Sequence, residues 1–566
     1  MTRFLALDRP PHHSLQLTTL SVIIGLMLPQ QVYAEIIPNA GTVLREITPS
    51  QKPEISTQKG DVTLPESLTR TDFSRDTTPI TVSSIRITGN TLYTTAQLSA
   101  LVADLQQGIH TLADLQRATT KISDYYHQHG YFLARAFLPQ QEMTDGVLTI
   151  AVAEGKLGQV QLDNQSHVSD RTAQAFLNTL PLHQALQKQS ADRALLLLSD
   201  LSGVGSMKAS LSAGANPGET TLGIDLTPAN IWSGRISLDN NGSVYTGRYR
   251  ANGTLNADSL FGLGEHLTAQ LLASNADLLY GQFSAQLPVG GSGLKLGMNV
   301  SRTTYALGDR FAVLDAIGRS NTYNVNTSYP LVRTVPLNVN LQADVEYRQL
   351  RDDIRQTQTD SDKNALLGRL TLSAMARDEI GFASAGGGIS QAQLIVTQGH
   401  LNLQTPSVLQ IDQVGARTSG TYEKYELQLS RLQALPQKLS LQIQAQAQWA
   451  SRNLDSSEKL SLGTIRAYPT GEGIGDEGWL SSVTLRYDAS PYLNPSLFYD
   501  LGQIKINARP YSSDKNERYL AGVGIGLAGG VKAFDYSMTL AWRETSAATS
   551  EPDKKPRLLL QGGWHF

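Results

Sequence analysis

Cysteine is absent from all 566 residues. That removes disulfides, thiol nucleophiles and thiolate metal sites together. A chain without thiols needs no help from an oxidising compartment, which fits a bacterial envelope protein. Charge is also scarce: Asp, Glu, Lys and Arg make up 17% of the residues, against the ~25% usual in soluble domains. Net charge is −3 and no basic block occurs, so the chain lacks the electrostatic footprint of a nucleic-acid-binding protein. Past residue 34 no run is long and apolar enough for a membrane-spanning helix. If the mature chain sits in a membrane, it crosses as strands. Catalytic constellations are missing too. His127 and His129 lie two apart at the end of an expected helix, face different ways and make a poor metal pair. The run Gly524 to Gly529 spells a dinucleotide fingerprint, but a strand follows it, so no helix N-terminus meets a phosphate. The expectation is a non-enzyme with no cofactor and no metal.

What is present begins with a secretory signal over residues 1–34. Arg3 and Arg9 precede a short apolar core, and Ala34 offers a small residue before a cut, so the mature chain is expected to start at Glu35. A short helix follows at 39–47 within a segment 35–50. Asn39 is its cap, and Val43, Leu44 and Ile47 share one face. So short a helix is marginal alone and has to dock. Residues 51–79 are polar, contain Pro53, Pro65 and Pro79, and read as a linker.

Two units of order strand–helix–helix–strand–strand come next, at 80–154 and 155–228. In the first, the expected elements are a strand 80–88, helices 94–105 and 112–129, and strands 132–138 and 147–153. In the second they are a strand 157–162, helices 170–180 and 191–201, and strands 207–212 and 220–227. The repeated order is an internal duplication.

From 229 to 566 the period is two. Leu337, Val339, Leu341, Ala343, Val345 and Tyr347 oppose Asn338, Asn340, Gln342, Asp344, Glu346 and Arg348. Leu439, Leu441, Ile443, Ala445, Ala447 and Trp449 oppose serine and four glutamines. Side chains alternate between the faces of a strand, and such segments suit a wall between lipid and a watery lumen. Short turns (288–293, 330–336, 435–437, 529–530) alternate with long polar ones (351–363, 451–478, 510–517, 544–556). At roughly 21 residues per strand and turn, the region holds about 16 antiparallel strands, an even number as bacterial barrels require.

Particular residues then point to a family. Residues 84–91 (Ser-Ile-Arg-Ile-Thr-Gly-Asn-Thr), Gly130-Tyr131-Phe132, 147–150 and 152–155 (Val-Ala-Glu-Gly) resemble the polypeptide-transport-associated (POTRA) domain. Gly89, Gly130 and Gly155 have local reasons, a turn, a helix stop and a domain break. Ile465-Arg466-Ala467-Tyr468 resembles the Val-Arg-Gly-Tyr loop signature of two-partner-secretion transporters, the TpsB family of ShlB/FhaC/HecB type. Phe498, Asp500 and Gly502 match its second signature, Phe-x-Asp-x-Gly, on a barrel strand. Ala467 departs from the family's glycine, and a positive φ there would be strained. A terminal aromatic on an amphipathic strand, Phe566, resembles the signal read by the barrel assembly machinery.

The resemblance implies a 16-stranded transmembrane β-barrel preceded by two α+β POTRA domains and an N-terminal plug helix. It implies a loop folded into the lumen, where Arg466 pairs with Asp500, and a periplasmic position for the POTRA units. The partners it implies are a secreted exoprotein of TpsA type, bound through its N-terminal secretion domain, outer-membrane lipid, and the assembly machinery during biogenesis. The implied function is an outer-membrane pore that recognises and secretes a large partner exoprotein such as a haemolysin, adhesin or contact-dependent toxin without nucleotide hydrolysis, with activation of that partner as an optional further role. A barrel-assembly insertase of the same superfamily is the alternative, and a passive porin would leave the POTRA units unexplained.

Overall fold

Sixteen strands, from Trp232–Asp239 to Arg557–His565, pair antiparallel in chain order, and the last closes on the first. These coordinates come from a computed structural model that describes residues 37–48, 79–143, 145–381 and 386–566. The expected signal segment 1–34 lies outside the described residues, as does the linker except for Pro79. Among the described residues no helix is long and apolar enough to cross a membrane; the crossing is made by strands.

The two-residue period is realised as a two-sided wall. On the strand Leu337–Ile354, Val345 is 59% exposed while Asp344, Glu346 and Arg348 are buried inward. Ile443 and Trp449 face out from Leu439–Ala450, and Gln448 is buried inside. Apolar side chains standing in contact with the surroundings are the expected state only where those surroundings are lipid. The longest connections, 404–419, 451–476 and 544–556, all emerge at the end opposite the N-terminal units.

Two expectations about connections need correction, and one element was not foreseen. Residues 351–363 are not a long loop. Strands Leu337–Ile354 and Thr359–Asp378 continue through most of them and leave only 355–358 as a turn. The ladder outruns the apolar belt there, and in water its sides carry Arg351 and Asp362, which pair at 3.4 Å. Gly529 and Gly530 lie inside the strand Glu517–Val531, paired with Tyr536 and Asp535, and the turn falls at 532–533. The connection 404–419 holds a helix, Pro406–Val414, with proline in its first turn; nothing in the strand pattern announced it.

Both N-terminal units fold the element order β-α-α-β-β into a three-stranded sheet whose central strand is the last, paired parallel with the first strand and antiparallel with the other. In the first, Ser84–Thr88 runs parallel to Val147–Ala153, which pairs antiparallel with Arg135–Phe137. In the second, Lys156–Asn164 runs parallel to Glu219–Pro228, which pairs with Val204–Ala213. The single strand expected at 80–88 is two. Pro79–Val82 pairs with an unforeseen strand, Gly108–Thr111, and Ser84–Thr88 pairs elsewhere. Ser83 marks the change of partner, its N–H donating to the Gly146 carbonyl at 2.8 Å. The strand expected at 132–138 shortens to Arg135–Phe137 because Phe132 and Leu133 pack into the core of the second unit instead.

One buried carboxylate explains why the residues flanking the first unit occur together. Glu154 accepts from the Thr91 and Leu92 amides (2.6 and 2.8 Å), from the Thr91 hydroxyl, and from the Tyr126 hydroxyl at 2.9 Å. It ties the turn after the second strand to the end of the last strand. Burial alone would raise its pKa; the amide bonds from Leu92 and Thr91 and the two hydroxyls outweigh burial and hold it below the ordinary carboxylate value. Its contribution to stability is therefore present above the unfolded carboxylate pKa of about 4.3 and lost as pH falls through the depressed folded value. Glu154→Ala leaves buried donors unsatisfied and is expected to cost the first unit about 2–4 kcal/mol. Faster hydrogen exchange at the Thr91 and Leu92 amides in the full chain would register it; unchanged protection would contradict it.

The second unit is fastened to three successive inner turns of the barrel. Ser169 N–H donates to the Gly262 carbonyl at 2.8 Å, and Arg193 Nη2 donates to the carbonyls of Pro330 (2.7 Å) and Ser292 (3.3 Å). Arg333 forms a forked pair with Asp200, with Nε and Nη2 at 2.6 and 2.8 Å from its oxygens. A planar fork of this kind fixes orientation as well as distance.

Candidate functional site: the lumen and its inward-folded loop

The loop 451–476 carries a small core of its own. Leu460, Leu462, Ile465, Ala467 and Tyr468 are buried against Phe498, Ile504, Leu520 and Ala541 of the inner wall. A two-rung hairpin, Leu460–Ser461 with Ile474–Gly475, gathers the loop, and Tyr468 N–H donates to the Ile465 carbonyl at 2.9 Å to make a tight turn. Arg466 and Ala467 are the central residues of that turn. Neither has a positive φ, so the strain that alanine threatened at this place does not arise. The Ala467 methyl instead seats on Gly522, where any added Cβ would collide with it.

At the tip, Arg466 meets Asp500 with three bonds. Its Nη2 and Nε lie 2.6 and 2.9 Å from Oδ1 and Oδ2, and its own backbone N–H donates to Oδ2 at 3.0 Å. Nη2 also donates to Ser482 Oγ (2.9 Å) and Thr484 Oγ1 (3.2 Å), while Ser482 Oγ donates to Asp500 Oδ1 at 2.7 Å. The guanidinium stacks over the Phe498 ring, 3.4 Å from its centroid, a cation–π contact that a lysine would not match in planar form. Space for the ring comes from the adjacent strand: a Cβ at Gly524 would collide with Phe498. The first glycine of the run that spells a nucleotide fingerprint is thus part of the floor of this site. Gly502 lets the loop approach, since a Cβ there would come within 2.8 Å of Leu462. All seven loop and wall residues singled out in the sequence meet here. Phe566 lies elsewhere, on the lipid side of the seam, bonded through its backbone to Gly234.

Further ties hold the loop across the bore. Glu458 accepts from Lys424 Nζ at 2.7 Å and Arg348 Nη1 at 2.9 Å; Arg348 also pairs with Glu346, which pairs with Arg369. Glu472, fully buried, accepts from Arg518 and from the amides of Thr549 and Ser550. The sequence reading placed Glu346 and Arg348 on the inner face but missed these pairings, because alternation tells the face of a residue and not its partner across the lumen.

The helix Ala40–Ile47 lies against the inner wall. Asn39 caps it, its Oδ1 accepting from Thr42 N–H at 3.0 Å. Val43, Leu44 and Ile47 bury against Leu272, Tyr280, Tyr305 and Leu350. Ala40 N–H donates to Asp352 at 2.7 Å, Ser456 Oγ of the loop donates to Asn39 at 2.7 Å, and Arg45 Nη1 donates to the carbonyls of Ser456 and Lys459. Beneath helix and loop the bore holds a cavity of about 1770 Å³ lined by amides such as Asn252, Gln282, Asn324, Gln391 and Gln446. Leu197 and Leu201 of the second unit reach its inner mouth.

A membrane barrel of sixteen strands with POTRA-type units at one mouth and an inward loop pinned by Arg466 and Asp500 defines a class of outer-membrane transport protein. The family model described as haemolysin secretion/activation protein ShlB/FhaC/HecB matches residues 218–529, and the ShlB-type POTRA domain matches 80–155. The chain belongs to the ShlB/FhaC/HecB family of haemolysin secretion/activation proteins. It is 27% identical over 528 residues to the heme/hemopexin transporter protein HuxB of Haemophilus influenzae strain 86-028NP, covering 90% of this chain and 91% of that one. With the outer membrane transporter CdiB of Dickeya dadantii it shares 22% identity, covering 84% of each. Among solved structures, CdiB from Escherichia coli has the same fold, with a TM-score of 0.69 at 19% identity over 88% of this chain and 93% of that one. The protein is accordingly an outer-membrane transporter of two-partner secretion, with its POTRA units in the periplasm, and this membership decides against the assembly-insertase alternative.

Proposed function

We propose that the POTRA units capture the N-terminal secretion domain of one large exoprotein of TpsA type and that this cargo threads the barrel in extended form and folds outside. The observation that carries this reading is the bore itself: a polar, amide-lined cavity, obstructed by a docked helix and an inward loop rather than by the wall. Amide side chains exchange hydrogen bonds with any passing backbone, so they favour transit without selecting sequence. Open sheet edges are available below. Arg135–Phe137 is an edge strand of the first unit, and Val204–Ala213 is one of the second. Extended cargo adding there gains main-chain bonds at little cost in specificity. Folding beyond the membrane supplies direction without nucleotide. The cargo is a haemolysin, an adhesin or a contact-dependent toxin, or, as the name of the relative HuxB suggests, a protein concerned with heme or hemopexin. The assembly machinery inserts the barrel by way of Phe566. In the working cycle the helix Ala40–Ile47 leaves the bore.

Deleting residues 80–153 tests the capture step. Partner protein in the medium is expected to fall at least tenfold while the barrel remains folded by heat-modifiable migration. Undiminished secretion from a folded barrel would reject the role.

A further inference from the structure

The inner turn 259–265 is unlike its neighbours. The inner turns 290–293 (Gly-Gly-Ser-Gly) and 436–438 (Pro-Gln-Lys) are built from small or polar residues, and others expose one or two apolar side chains, as at Val335, Ile380 and Tyr492. This one reads Ser-Leu-Phe-Gly-Leu-Gly-Glu, and Phe261 is 71% exposed, with Leu260 and Leu263 also exposed. The turn is rigid. Glu265, 4% exposed, accepts from the amides of Phe261 (2.7 Å) and Leu263 (3.0 Å), and the Ser259 N–H donates to the Glu265 carbonyl at 2.8 Å. A closed network of this kind holds three apolar side chains outward when a looser turn would fold them in.

One side of the turn is taken. Ser169 N–H donates to the Gly262 carbonyl at 2.8 Å, and Ser259 Oγ donates to the His167 carbonyl at 3.0 Å, both from the second POTRA unit. The other side continues the lipid-facing belt. Ala257, two residues before the turn, pairs with Trp232 on one flank and Leu267 on the other. Trp232 is exposed, and beside it Phe566 lies over Gly234. Leu287 and Val289 extend the same apolar row on the strand Leu279–Val289. Aromatic side chains at such a border sit at the level of the lipid headgroups.

We propose that the turn 259–265 is a lipid-inserted wedge, with Leu260, Phe261 and Leu263 seated in the inner leaflet of the outer membrane so that the second POTRA unit is held against the bilayer as well as against the barrel. Continuity with the belt identifies the occupant as lipid. The same turn then fixes the tilt of the periplasmic unit through Gly262 and Ser259, and the inner mouth keeps its opening on the side away from this contact.

The absence of cysteine makes the test direct. Phe261→Cys and, separately, Leu263→Cys carry a nitroxide label in full-length protein reconstituted in phospholipid vesicles, with folding verified by heat-modifiable migration. Val345→Cys serves as the lipid reference and Gln437→Cys as the aqueous one. The expected result is that both turn labels collide with dissolved oxygen several-fold more, and with a water-soluble nickel chelate several-fold less, than the label at 437, matching the label at 345. Labels at 261 and 263 as open to the nickel reagent as the one at 437 would overturn the proposal, including the case in which they are shielded only after a partner polypeptide is added.

Discussion

Asp500→Ala is expected to cut secretion of the partner at least tenfold while the barrel still inserts and folds. The carboxylate is nearly inaccessible, its side chain 3% exposed, and it is the acceptor for two guanidinium nitrogens, one backbone N–H and one serine hydroxyl. Taking it away leaves the partly buried Arg466 guanidinium in the lumen without its counter-charge, a loss of up to about 3–5 kcal/mol. At about 1.4 kcal/mol per decade, the docked state of the loop tip falls relative to the released state by up to roughly two to three and a half orders of magnitude. Asp500→Asn keeps an acceptor oxygen and should be milder. Arg466→Lys should behave nearly as badly as Arg466→Ala, because an ammonium can neither fork onto both oxygens nor lie flat on Phe498. Exchanging the two residues should not restore function, since Ser482, Thr484 and the Phe498 face are arranged for a guanidinium arriving from the loop. Protease sensitivity of 451–476 in intact outer membranes should rise with the Asp500→Ala defect. Secretion at the parental level by Asp500→Ala would remove the pair from the mechanism.

The sequence was most informative where solvent differs across a single strand. The alternation of Leu337 to Arg348 reports lipid on one side and water on the other, and the register in the wall follows it. Pairing partners were less legible. In 79–88 the change of neighbour at Ser83 is marked only by a slip of phase, the inward residues passing from Ile80 and Val82 to Ile85 and Ile87, and a slip of one residue does not say which strand each half pairs with. The charged run 351–363 read as a loop because the signal depends on lipid, and above the belt a ladder loses that signal while keeping its hydrogen bonds. The pairing of Arg466 with Asp500 came from likeness to a family and not from periodicity. What periodicity could have offered was the inward face shared by Ser482, Thr484 and Asp500, and the glycines opposite at 522 and 524, small residues where a ring and a methyl needed room. The ties of Glu458 and Glu472 were illegible for a plain reason: they join elements far apart in the chain across an enclosed space, and each was one acid among many.

Locking the helix Ala40–Ile47 to the loop is expected to stop secretion reversibly. The helix buries Val43, Leu44 and Ile47. At about 1.5–3 kcal/mol for each such side chain, its departure costs several kcal/mol before hydrogen bonds are counted. That cost is small enough for incoming cargo to offset and large enough to keep the idle pore shut. Gly41 packs so closely on Ser456 that a Cβ there would collide with the serine side chain. The pair Gly41→Cys and Ser456→Cys therefore falls within reach of a disulfide once the helix settles slightly, and the chain offers no competing thiol. Under oxidising conditions the linked protein should release less than a tenth of the normal exoprotein and show low conductance in planar bilayers. A reductant should return both to the level of either single variant. Deleting residues 37–48 should act in the opposite sense on conductance, raising it several-fold, because the remaining loop leaves the amide-lined cavity open on the helix side. Full secretion through a barrel whose cross-link is verified by mass spectrometry would mean that cargo passes without moving the helix, and that the route lies on the far side of the loop.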